Sequence, residues 1–142
     1  MMDVTELKRK AEAGNCAAQS LIGAYYLFGH ESIRIDYTEA FRFLSAAARR
    51  GSSRAVANLA FIYEEGLGIP RDIAKAIELY EAVGTVEFFA AVALGRIYSK
   101  GREVPVDPER AFRWYSAAAA FEGRIADCAE LTEAKAYVAG AK

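Results

Sequence analysis

Two apolar patterns alternate along the chain. The first sets small or apolar residues and a tyrosine at fixed offsets and closes on glycine, in Ala18-Ile22-Gly23-Tyr26-Gly29, Ala55-Leu59-Ala60-Tyr63-Gly66 and Ala90-Leu94-Gly95-Tyr98-Gly101. The second opens on aspartate, in Asp36-Ala40-Phe43-Leu44, Asp72-Ala76-Leu79-Tyr80 and Asp107-Ala111-Trp114-Tyr115, with Ala47-Ala48 and Ala118-Ala119 closing its first and third copies. Apolar or small positions at i, i+4, i+5 and i+8 fit a helix of 3.6 residues per turn, and the alternation of a strand is absent. Each pair of patterns predicts a helix hairpin, A then B. The hairpins recur 37 and then 35 residues apart, a period that marks a repeat architecture.

The punctuation of the chain agrees. Gly29, Gly66 and Gly101 stand where helix A should end in a left-handed cap. Asp36, Asp72 and Asp107 stand where helix B opens, their carboxylates suited to unpaired first-turn amides and to the positive end of the helix. Pro108 takes a first-turn position, where a missing N–H costs nothing. These signals predict helices near 3–13, 16–28, 36–50, 53–65, 72–84, 87–99, 107–121 and 124–139. A hairpin cannot bury both of its faces, so the repeats must stack. Gly23, Ala60 and Gly95 on A, with Ala40, Ala76 and Ala111 on B, let the helices cross closely, while the tyrosines and Leu44 fill between them.

These residues resemble the Sel-one-like repeat, a relative of the tetratricopeptide repeat with the pattern A-x-x-x-L-G-x-x-Y-x-x-G-x-G-V-x-x-D-x-x-x-A-x-x-W-Y-x-x-A-A-x-x-G. Residues 90–122 are similar at nearly every signature position, and Gly66-Leu67-Gly68-Ile69 adds the family's turn. The resemblance implies an all-α, right-handed α-α solenoid of about eight antiparallel helices, with three repeats and flanking N- and C-terminal helices. The expected layout is one domain over 1–142, with repeats at about 15–51, 52–86 and 87–123 and a capping helix at 124–139. Two departures are local. The turn from Gly29 to Asp36 is one residue longer than the pattern, and the second B helix ends at Ala82-Val83-Gly84 without paired alanines, which predicts a local irregularity near Gly84.

Composition removes several classes of function. Eighteen basic and nineteen acidic side chains leave a net charge of −1, no field for a polyanion such as nucleic acid. No stretch approaches the roughly 20 apolar residues of a membrane helix, and Met1-Met2-Asp3-Val4-Thr5-Glu6 lacks the pattern of a signal peptide, so a cytoplasmic location is the expectation, and the resemblance implies the family's bacterial type. His30 is the one histidine, with no clustered metal ligands or nucleophile motif beside it. Cys16 and Cys128, near opposite ends of a stacked array, are expected to be reduced thiols. Glu64-Glu65 and Glu130-Glu133 fit solvated helix faces better than a catalytic pair. No catalytic residue, metal or cofactor is expected.

What remains is a surface for another protein or peptide. In the related solenoids the A helices line the concave face, which selects Leu27, Phe28, Arg54, Phe61, Glu64, Phe89, Arg96 and Lys100 as partner-binding residues. Phe61 and Phe89 would be apolar anchors and Arg54 and Arg96 would orient the ligand, since aromatic and Arg side chains dominate interface energetics. The expected role is an interaction scaffold, monomeric or weakly dimeric. A dedicated inhibitor or immunity protein for a toxin encoded nearby is the alternative, with a hydrolase behind it.

Overall fold

Each helix B begins on its aspartate. Asp36 Oδ1 accepts from Glu39 N at 3.1 Å, Asp72 Oδ1 from Lys75 N at 3.0 Å and Asp107 Oδ1 from Arg110 N at 3.0 Å. The same three residues close the hairpins through their own N–H groups, which donate to Tyr26 O, Tyr63 O and Tyr98 O, each at 2.9 Å. The repeated tyrosine and aspartate thus join A to B by main-chain bonds as well as by packing. Asn15 Oδ1 and Ser52 Oγ cap two of the A helices by accepting from Ala18 N and Ala55 N.

The computed structural model describes residues 3–140. Within them lie α1 (Val4–Glu12), α2 (Cys16–Phe28), α3 (Tyr37–Arg49), α4 (Ser53–Glu65), α5 (Ile73–Val83), α6 (Phe88–Lys100), α7 (Pro108–Ala119) and α8 (Ala129–Gly140), with no strand among the described residues. They form two compact units whose boundary lies between Leu79 and Tyr80, inside α5, a subdivision the even period does not announce. In the first unit Leu27, Ala40, Leu44, Ala47, Ala55 and Ile62 pack between α2, α3 and α4, and Leu7, Ala11, Ile22 and Phe43 carry the core to α1. In the second, Phe88, Val92, Tyr115, Phe121, Leu131 and Ala134 join α6, α7 and α8.

The small positions of helix A act as expected. A Cβ on Gly23 would stand 2.7 Å from Leu44 Cδ2, and one on Gly95 2.8 Å from the Tyr115 ring, distances that leave no room for a methyl group.

Two local readings need correction. Gly66 and Gly101 are left-handed caps, with φ 67 and 68°, but Gly29 pairs φ 86° with an extended ψ of 153°. Its longer turn is spent on a reciprocal pair of bonds between His30 and Ile33, so the chain leaves α2 by a different route. The terminal helix begins at Ala129 rather than 124. Gly123 has φ 83°, and Phe121, 6% exposed with Arg124 Cζ 4.7 Å over its ring, pins an irregular segment ahead of it. Gly84, near which a local irregularity is expected, is not among the glycines with positive φ. It is buried against Trp114, and a Cβ there would fall 2.4 Å from Trp114 Cζ3. Gly84→Ala should therefore destabilise the second unit by about 1–3 kcal/mol through overpacking, measured by urea unfolding; unchanged stability would show that Trp114 yields freely.

Candidate partner-binding surface

Helices α2 and α4 run side by side and parallel in the first unit. Near their N-terminal ends Ser52 Oγ lies 3.3 Å from Ser20 Oγ, and at their C-terminal ends the rings of Phe28 and Phe61 are 5.9 Å apart, tilted by 35°. Of the residues expected to bind here, Phe28 is 57% exposed and Phe61 half-buried. Arg54 is exposed on the first turn of α4, and Glu64 half-buried on its last. Leu27 is 3% exposed and packs with Leu44 and Ile62, so it belongs to the core and offers a partner nothing.

In the first unit two exposed large apolar residues escaped the sequence reading: Leu21 (45%) and Ile35 (52%). The signal for Leu21 was available. Ala17, Leu21, Ala24 and Phe28 follow i, i+4, i+7, i+11, a stripe on the side of α2 opposite its buried Gln19, Ile22 and Gly23. A helix apolar on two sides carries more than a core face. The stripe also has an electrical direction, because neither α2 nor α4 has an acidic residue in its first turn or a basic one in its last. Arg54 adds to the positive N-terminal end, and Glu64 and Glu65 to the negative end.

In the second unit Phe89 is 64% exposed, its ring edge-on to Phe88 at 5.1 Å, and Lys100 is exposed at the end of α6. Arg96, expected to orient a ligand, is instead engaged within the chain. Its Nη2 donates to Glu133 Oε1 at 2.6 Å and its Nε to Glu133 Oε2 at 2.9 Å. Tyr115 Oη donates to the same Oε2 at 2.6 Å. The guanidinium beside it, then the phenol, hold the Glu133 carboxyl below the usual carboxylate range, against the opposing effect of burial. Burial, then Glu133, pushes the Tyr115 phenol up to about 12. The cluster ties α8 to α6 and α7. The charged side of α8, expected to be a solvated face, contributes its Glu133 to this tie.

Among the described residues no group of three or more His, Cys, Asp and Glu is placed to hold a metal ion, and no helix is long and apolar enough to cross a membrane.

The comparisons with known proteins fit this geometry. The family model of the Sel1 repeat matches residues 16–52, 53–82 and 89–120, leaving out the turn around Gly84. Protein sel-1 homolog 2 of Mus musculus is 40% identical over 73 residues, 51% of this chain and 11% of its own length. The ERAD-associated E3 ubiquitin-protein ligase component HRD3B of Arabidopsis thaliana is 32% identical over 111 residues, 77% of this chain and 17% of its own. The chain thus spans well under a fifth of these curated relatives. The solved structure of c5321, a protective antigen of uropathogenic Escherichia coli strains with an SLR fold, superposes with a TM-score of 0.74 at 29% identity, over 98% of this chain and 33% of that one. With three tandem matches over most of its length and helix hairpins closed by the repeated tyrosine and aspartate, the chain belongs to the Sel1 repeat family, whose α-hairpin solenoid is a protein-interaction fold.

Proposed function

We propose that the chain works as an interaction module that binds a partner protein, or a peptide segment of one, on the face formed by α2 and α4. The observation that carries this reading is the Phe28–Phe61 pair, two aromatic rings in contact at the surface with the Phe28 ring more than half exposed. A surface aromatic pair on a face that also carries an arginine, Arg54 at its other end, has the composition of interface anchors, and burying such a ring on association contributes about 1.5–3 kcal/mol. The HRD3B relative is named as a component of a larger ligase, a role that rests on contact with other proteins. Phe89 and Lys100 are the second unit's share of the proposed binding residues. The test is affinity capture from the native cell with wild type and with Phe28→Ser/Phe61→Ser, followed by mass spectrometry. The double variant should lose its specific partner while keeping its helical circular dichroism; equal capture by both would refute this surface.

A further inference from the structure

Resting on that reading, the geometry points to one kind of occupant: an amphipathic helix of the partner, laid antiparallel to α2 and α4, with acidic side chains at the end over Arg54 and basic ones at the end over Phe28 and Glu65. Three features carry it.

The first is spacing. Ala17, Leu21, Ala24 and Phe28 alternate small and large side chains along the exposed side of α2, and Phe61 stands alongside on α4. Two alanines on alternate turns let a neighbouring backbone approach, while Leu21 and Phe28 project as knobs between the side chains of a facing helix. The stripe spans 11 residues, about 16 Å at 1.5 Å per residue, the length of three turns.

The second is hydrogen bonding. The main-chain groups in the middle of α2 and α4 are spent within their own helices, so this stretch of surface presents side chains and little else. An extended segment would set unpaired N–H and C=O groups against an apolar stripe, whereas a helix arrives with its own satisfied.

The third is charge. The end carrying Arg54 has two helix N-termini with no first-turn acid, and the opposite end has Glu64, Glu65 and two C-termini with no last-turn base. A helix docked antiparallel opposes its own dipole to this one, with acids in its C-terminal half and bases in its N-terminal half meeting opposite charges; the reversed arrangement makes the same pairings only by docking parallel, its dipole aligned with those of α2 and α4.

Two helix-stapled peptides of about 16 residues, of identical composition with a Leu/Ala seam, test the inference on the full chain by fluorescence anisotropy. One carries Lys in its N-terminal half and Glu in its C-terminal half; the other has these reversed, and the staples equalise helicity. The first should bind at least tenfold more tightly. Arg54→Glu should shrink that preference, and Phe28→Ser/Phe61→Ser should weaken both peptides by tenfold or more. Equal affinities or the opposite preference overturn the inference. If neither peptide binds while the double serine variant still loses its captured partner, the helical occupant is wrong and the interaction reading stands; if capture is also indifferent to those substitutions, both fall. Self-association that the serine variant abolishes makes a second copy the occupant and overturns the assignment to a partner.

Discussion

Leu44→Ala should lower the unfolding free energy by about 2–5 kcal/mol, the range for deleting a fully enclosed leucine. Leu44 is 0% exposed and shares its cluster with Leu27, Ala40, Ala47, Ala55 and Ile62, so the cavity would open where three helices of the first unit meet. Gly23→Ala should cost about 1–3 kcal/mol for the opposite reason, because the new methyl would stand 2.7 Å from Leu44 Cγ and Cδ2. The double variant separates complementarity from general damage. With Leu44 shortened, the methyl introduced by Gly23→Ala enters the space the leucine side chain left, so the combined loss should fall short of additivity by about 0.5–3 kcal/mol. Compensation should be incomplete, since the same methyl lies 3.2 Å from Leu44 N. Urea unfolding of the four proteins completes the cycle; strict additivity would mean that Gly23 and Leu44 do not share that space.

The cycle rests on a contact the sequence pattern already suggested, and the reason is physical. Gly23 and Leu44, like Gly95 and Tyr115, occupy fixed positions of a hairpin closed by its own main-chain bonds, so their offsets encode which residues must meet. Charged side chains carry no such constraint. Arg96 pairs with Glu133, 37 residues away on a helix outside the repeated pattern, and no offset reveals that partner. The neighbours Leu27 and Phe28 show a finer failure. Both are apolar and lie on one helical turn, yet one is 3% and the other 57% exposed, because about 100° of rotation divides the side facing α3 and α4 from the open stripe. Counting from the signature positions reached Phe28 but took Leu27 with it and passed over Leu21. The late start of α8 was hidden as well, since the segment before it is held by Phe121 packing against Phe88 of α6, a tertiary contact.

The cluster that holds α8 should make the second unit's stability depend on pH in two separate windows. The Tyr115 phenol is pushed from 10.0 up to about 12, so between these values the unfolded chain releases a proton that the folded chain retains. That stabilisation is complete below pH 10 and is lost as pH rises toward 12, at most about 3 kcal/mol at 1.36 kcal/mol per pKa unit. Glu133 has the opposite sign. Its folded pKa lies below 4.5, so its contribution is present above that value and fades as pH falls through the folded pKa. Glu133→Ala removes the acid window and leaves Tyr115 Oη without this acceptor. With side-chain exposures of 34% for Glu133 and 44% for Arg96, water replaces part of what is lost, and a net cost of about 1–2 kcal/mol at neutral pH is expected. The phenol should then titrate lower than in the wild type yet above the ordinary tyrosine range, because burial, the largest cause of its shift, remains. Absorbance at about 295 nm, where phenolate absorbs, would follow Tyr115 against the seven other tyrosines, with Tyr115→Phe identifying its step. A wild-type Tyr115 that ionises with the rest would refute the coupling of Arg96, Glu133 and Tyr115.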